Sequence, residues 1–142
     1  MQMAGSNNQT ILLVEDYKDS REMIRFLLEG LNYRVLEAQD GKEALDLASR
    51  ERPDLVLTDF NLPDIDGTAL IRRLRKLGEK MSRIPVIMLS AHDREELFEL
   101  AMAAGCTAFL TKPVSFAVLE KTIHTLLEES RKLNGPVNGI SH

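Results

Sequence analysis

The sequence predicts an α/β fold, a doubly wound five-stranded parallel sheet with helices on both faces, and three observations carry that prediction. Short runs rich in branched residues alternate five times with stretches of helical periodicity. Three of the five runs are apolar throughout, as strands covered on both faces are. The ends of three runs carry Glu15-Asp16, Asp59 and Lys112, and open α/β sheets bind their ligands at the carboxyl edge of the strands.

Ile11 to Val14 is the first strand. After it, Ile24, Leu27, Leu28 and Leu31 follow the i, i+3, i+4, i+7 spacing of one buried helical stripe, with Gly30 where the helix would stop. Arg34 to Ala38 is the second strand, and Asp40 with Glu43 three residues later marks the start of the next helix as an N-cap and its reciprocal acid. The third strand is Leu55 to Thr58. A turn through Asn61-Leu62-Pro63-Asp64-Ile65-Asp66-Gly67 leads into a helix whose buried stripe is Leu70, Leu74 and Leu77, widened by Ile71. Val86 to Leu89 is the fourth strand. In the fourth helix Leu97, Leu100, Ala101 and Ala104 are expected to face inward up to Gly105, which leaves Phe98 and Met102 on a stripe nearer the surface. The fifth strand, Ala108 to Leu110, precedes a last helix with Leu119, Ile123, Leu126 and Leu127 opposite Glu120, Lys121, Glu128 and Glu129. One domain is expected over residues 9–133, with flexible flanks at 1–8 and 134–142.

Composition narrows the function. A chain of 142 residues suits about one domain at ~100–200 residues each. Its net charge of −4 and lack of a Lys/Arg stripe argue against a nucleic-acid surface. Apolar stretches such as Val86-Ile87-Met88-Leu89 fall far short of the ~20 residues of a membrane helix. The start lacks a signal pattern, so a cytoplasmic protein with no membrane contact is expected. Cys106, beside Ala104 and Gly105, reads as a small buried residue. His92, His124 and His142 have no metal-ligand spacing.

The carboxylates carry the chemistry. Asp64 and Asp66 fit a turn fixed by Pro63 and a cap before Gly67. A calcium loop started at Asp59 would put Pro63 at a ligand position and Asp64 where glycine is required. Glu15, Asp16 and Asp59 differ, because they end near-wholly apolar strands, where burying several charges without compensation is costly. They imply a cation. Magnesium prefers hard oxygens, takes one or two carboxylates and accepts phosphate oxygens, so Asp16 and Asp59 are its expected direct ligands.

In order and spacing, Leu12-Leu13-Val14-Glu15-Asp16, Asp59, Leu89-Ser90-Ala91 and Thr111-Lys112-Pro113 resemble the receiver domain of two-component response regulators, over roughly residues 9 to 130. The resemblance implies a flavodoxin-like sheet of order 2-1-3-4-5 with five helices. It also implies phosphoryl transfer to Asp59 from a histidine kinase or histidine phosphotransfer protein, followed by slow self-catalysed hydrolysis. Magnesium or manganese would be held by Asp16, Asp59, the Asn61 backbone carbonyl and, through water, Glu15. Lys112 and Ser90 would neutralise the phosphoryl oxygens, Ser90 and Phe109 would form the switch, and Lys112-Pro113 would be a cis peptide. This chain has Glu15 where many receivers have Asp, and Phe109 where many have Tyr.

Three other classes compete. A haloacid-dehalogenase-type phosphatase needs an acid two positions after the nucleophile, where Asn61 stands. A flavodoxin-like nucleotide binder wants a Gly/Ser/Thr-rich loop after the first strand, where Glu15-Asp16 would repel phosphate. A pseudo-receiver that only binds partners would be expected to lose Asp59, Lys112 or the acidic pair. The expectation is therefore a switch rather than an enzyme acting on a separate substrate. No effector follows residue 133, so its output is expected to pass to a target protein or a second copy, through the face of the fourth helix, fifth strand and fifth helix, or within a longer hybrid kinase or regulator.

Overall fold

Five strands and six helices alternate along residues 9–133, the part of the chain that the structure, a computed structural model, describes. The flanks 1–8 and 134–142, expected to be flexible, lie outside the described residues. The strands are β1 (Thr10–Val14), β2 (Arg34–Ala38), β3 (Leu55–Asp59), β4 (Val86–Ser90) and β5 (Ala108–Thr111). The helices are α1 (Lys18–Gly30), α2 (Gly41–Glu51), α3 (Gly67–Leu74), α4 (Glu79–Arg83), α5 (Glu95–Ala104) and α6 (Phe116–Leu133). All pairings are parallel, in the order β2-β1-β3-β4-β5. This is the expected 2-1-3-4-5 sheet.

Alternating strand residues fill two cores, because successive side chains point to opposite faces. Ile11, Leu13, Leu55, Leu57, Ile87 and Leu89 pack under Ile24 and Leu28 of α1 and Leu119, Ile123 and Leu127 of α6. On the other face, Leu12, Val14, Val56, Val86 and Met88 meet α2, α3, α4 and α5 through Ala44, Ala48, Leu70, Ile71, Leu74, Met81, Ala101 and Ala104. Both layers are nearly dry, so the strands cannot shift register without moving apolar groups into water.

Three helices depart in detail from the sequence reading. The helix through Leu70 stops at Leu74, Leu77 is exposed, and Gly78 at φ +148° leads into the short helix α4. Met81 of α4 is buried where Leu77 was expected. The expected fourth and fifth helices are therefore α5 and α6. Within α5, Leu100 is 51% exposed instead of inward, because α5 lies towards the β5 edge of the sheet and buries only its Ala101 and Ala104 side. Gly30 is the last residue of α1, and the left-handed residue that ends the turn is Asn32 at φ +73°. Gly105 does close α5, at φ +110°, while Cys106 N–H donates to the Ala101 carbonyl at 3.0 Å. The Asp40 cap is present: its carboxylate accepts from Glu43 N at 2.8 Å, and the Glu43 carboxylate reaches back to accept from Gln39 N at 2.8 Å.

Candidate functional site

Register brings the charged strand ends together. Val14 lies beside Thr58, Asp59 beside Leu89 and Ser90 beside Thr111. Glu15-Asp16, Asp59, Ser90 and Lys112 thus reach one edge and line an open cleft of about 370 Å³ together with Asn61. Backbone bonds lock the edge: Glu15 N donates to Ala38 O at 3.0 Å, Phe60 N to Leu89 O at 2.8 Å and Lys112 N to Ser90 O at 2.7 Å.

One carboxylate oxygen each from Glu15, Asp16 and Asp59 lies within 4.8 Å of the others. Glu15 is 2% exposed and Asp59 6%, whereas Asp16 faces solvent. The Lys112 ammonium stands 2.6 Å from Asp59 Oδ1 and 3.3 Å from Glu15 Oε1. At that distance Lys112 is the cation partner of Asp59 Oδ1, and it also serves Glu15. The second Glu15 oxygen accepts from Tyr17 N at 3.0 Å. Burial pushes the Asp59 carboxyl up to about 7, Glu15 adds to the rise, and Lys112 opposes it. Burial alone would depress Lys112, but Asp59 and Glu15 outweigh it and raise its pKa.

These residues fit a hard divalent cation. Three carboxylates converge on a cleft with one ammonium and no sulfur or imidazole in its lining, which matches the all-oxygen preference of magnesium or manganese. Both Glu15 oxygens already have protein partners, and the solvent-facing Asp16 is the freest of the three ligands.

The loop after Asp59 folds back on it. Gly67 N donates to Phe60 O at 2.6 Å, and Asn61 bridges to Asp66. A Cβ on Gly67 would stand 2.7 Å from the Met88 methyl and 3.0 Å from the Asp59 carbonyl, so only glycine lets the loop close this tightly. Asp66 caps α3 through Ala69 N at 2.9 Å. Asp64, read from sequence as a local turn residue, instead accepts from Gly41 N at 2.8 Å and Lys42 N at 2.9 Å and so caps α2. The Thr68 hydroxyl, followed by Ala69 N–H, holds the Asp66 carboxyl below its usual range, and Gly41 N–H with Lys42 N–H does the same for Asp64.

Ser90 is buried, and its hydroxyl accepts from His92 N at 3.0 Å. Phe109 does not line the cleft. It is half-buried against the core, and the Phe98 ring meets it edge-on at 5.9 Å and 87°. Phe98 and Met102 are 45% and 40% exposed. The Lys112-Pro113 peptide is cis. Cys106 is buried, and its thiol donates to Ala108 O at 2.9 Å. Gly67 and the cap by Asp64 were not singled out as site supports from sequence, although the Asp-Gly step after Pro63 already signals a tight return. Arg21, which touches the site loop, carries no local motif at all.

The response regulator receiver domain family matches residues 11–124. Among curated relatives, the 14.6 kDa protein of the sodA1 3′ region of Leptolyngbya boryana is 43% identical over 104 residues, covering 73% of this chain and 79% of that protein. The sensor histidine kinase RcsC of Salmonella typhimurium is 33% identical over 128 residues, and the match covers 90% of this chain but 13% of RcsC. Among solved structures, the receiver domain of the sensor histidine kinase PA1611 from Pseudomonas aeruginosa PAO1 has a magnesium ion coordinated in its active-site cleft. It is 35% identical, with a TM-score of 0.78, 85% of this chain covered and 98% of that one. With the fold, the acidic cleft and these matches in agreement, the chain belongs to the receiver domain family of two-component response regulators.

Proposed function

We propose that Asp59 accepts a phosphoryl group from the phosphohistidine of a histidine kinase or phosphotransfer protein, and that the modified domain signals in the cytoplasm by a change in its protein contacts. The observation that carries this reading is the buried Asp59 carboxylate, set between the Glu15-Asp16 pair and the Lys112 ammonium at the carboxyl edge of the sheet. An Asp59 carboxylate oxygen attacks phosphorus, the oxygen–phosphorus bond forms as the nitrogen–phosphorus bond to the donor breaks, and the histidine nitrogen leaves with the electron pair. A divalent cation held by Asp16, Asp59, the Asn61 carbonyl and, through water, Glu15 would supply positive charge for the phosphoryl oxygens. Lys112 adds a fixed ammonium and Ser90 a hydroxyl donor. Later attack by water on phosphorus returns free Asp59 and phosphate. The protein is its own substrate, and so a switch.

The contact between Phe98 and Phe109 supports output through α5, β5 and α6, towards a target protein or a second copy. The test of the transfer is incubation with magnesium and acetyl phosphate. One hydroxylamine-labile phosphoryl group is expected, absent in Asp59→Asn and formed ~10²-fold more slowly in Lys112→Ala. A label found on histidine or serine rejects the mechanism.

A further inference from the structure

Asp16 is the least supported of the three carboxylates. Among the described residues its side chain has no hydrogen bond or ion pair in the structure, and it faces solvent. Its position therefore depends on the backbone that carries it. That backbone leaves the sheet at Glu15, whose N–H still pairs with β2 through Ala38 O at 3.0 Å. The Glu15 carbonyl, one atom before the Asp16 peptide nitrogen, is taken by the Arg21 guanidinium, with Nη1 at 2.9 Å. Arg21 in turn is anchored on β2, where its Nε lies 3.2 Å from Glu37 Oε1. Its side chain is only 12% exposed, against 35% for Glu37, so the bond to the buried Glu15 is the better sheltered of the two. The other Glu37 oxygen is 3.1 Å from Arg25 Nε, whose guanidinium also reaches Glu29 at 3.2 Å.

We infer that Arg21 is a positioning residue for the cation site: by fixing the peptide plane between Glu15 and Asp16 it places the Asp16 carboxylate and sets the affinity for the divalent ion. The inference rests on the function proposed above. Its physical basis is pre-organisation, since a ligand held in place before binding spares the ion the cost of ordering it. Supporting groups behind ligands have measured effects of about 10–100-fold on metal affinity, and Arg21 acts at the same remove, through a backbone carbonyl. Lysine cannot replace it fully, because a single ammonium lacks the fork that spans a carbonyl and a carboxylate together.

The experiment is titration of the full chain with magnesium by calorimetry, and with manganese by electron paramagnetic resonance, alongside acetyl phosphate labelling at varied magnesium. Arg21→Ala is expected to raise the dissociation constant about tenfold, and to raise the magnesium concentration at half-maximal labelling by the same factor, with the labelling rate at saturating metal unchanged. Arg21→Lys should fall between it and the wild type. Arg25→Ala, which breaks the other arm to Glu37 and leaves the Glu15 carbonyl bond intact, should keep wild-type affinity. General loosening of the contact between α1 and β2 would move Arg25→Ala as well, and that result overturns the inference. So does an affinity within about twofold of wild type in Arg21→Ala or, should that variant not fold, in Arg21→Lys. A wild-type chain that binds neither ion rejects the underlying function instead, which keeps the two failures apart.

Discussion

Asp59 is held at a cost that the chain recovers only when a cation or a proton arrives. Its carboxyl is buried beside Glu15, and the one ammonium within reach does not lower its pKa to the ordinary range. The raised value means that the folded state keeps a proton which the unfolded chain gives up near its ordinary 3.8. Between about pH 4 and pH 7 the folded protein therefore binds more protons than the unfolded one, and metal-free stability falls as pH rises through that window, then levels off above about 7. Asp59→Asn removes the slope. Denaturant melts in chelator are expected to show the two proteins alike near pH 4 and the Asn variant more stable at pH 8, by ~2–4 kcal/mol at about 1.36 kcal/mol per unit. Parallel stability curves across that range would show that Asp59 ionises freely. Lys112 is the other half of this arrangement, and its raised pKa keeps it charged throughout.

At the scale of elements, the loop between β3 and α3 ties the site to the rest of the domain. It returns onto the Asp59 carbonyl through Gly67, caps α3 with Asp66 and caps α2 with Asp64. Removing the Asp64 carboxylate leaves two amides at the start of α2 without their acceptors. Asp64→Ala should cost ~1 kcal/mol in chemical denaturation, within the range of lost helix caps, and should not change labelling of Asp59 by acetyl phosphate at saturating magnesium. A larger loss accompanied by failed labelling would mean that the Asp64 tie also shapes the surroundings of Asp59. Gly67→Ala is the stronger perturbation, since its Cβ would meet the Met88 methyl at 2.7 Å and backbone at 3.0 Å. It is expected to displace Asn61 and weaken metal binding. Between α5 and β5, Phe98 rests edge-on against Phe109, an arrangement worth ~0.5–1.5 kcal/mol beyond area burial. Any movement of Phe109 must therefore break or carry that contact.

For the whole molecule, the proposed switch requires a small group at one sheet edge to alter a distant surface. The two cores are closely filled, and α5 is lightly held in them, since only Ala101 and Ala104 are covered. A rigid sheet with one lightly held helix confines rearrangement to that helix and the strand beside it. Moving the population from 1:99 to 99:1 takes ~5.5 kcal/mol of differential stability. Beryllofluoride with magnesium is expected to shift NMR signals across residues 90–112 and the start of α6, well beyond the neighbours of Asp59. Changes limited to Glu15, Asp16, Asp59 and Asn61 would mean that no switch exists. Phe98→Ala should weaken binding of the activated form to its target or to a second copy, and unchanged binding would place the output contact elsewhere. Magnesium alone should stabilise the wild type by RT ln(1+[L]/Kd), or ~2.7 kcal/mol at a hundredfold excess over Kd, seen as a higher melting temperature than in chelator.

Much of this protein follows from local pattern. Apolar runs such as Ile11 to Val14 and Val86 to Leu89 are strands buried on both faces, and Leu119, Ile123 and Leu127 face the core, as their patterns indicate. The site residues were legible because charges at the ends of such strands are costly to bury unless a ligand offsets them, and because Glu15, Asp16, Asp59, Ser90 and Lys112 stand in a familiar order. Contacts between distant segments were not legible. Leu77 and Leu100 satisfy the helical spacing yet are exposed, since a periodic stripe tells which side of a helix is apolar and not how far a neighbour covers it. Asp64 looked like a turn residue because its partners, Gly41 and Lys42, lie more than twenty positions away. Arg21 gave no signal, since its meaning depends on meeting both the Glu15 carbonyl and Glu37. Local chemistry determines which residues are able to act, and only tertiary structure decides which of them are held in place, because the donors and packing that hold them come from elements far apart in the chain.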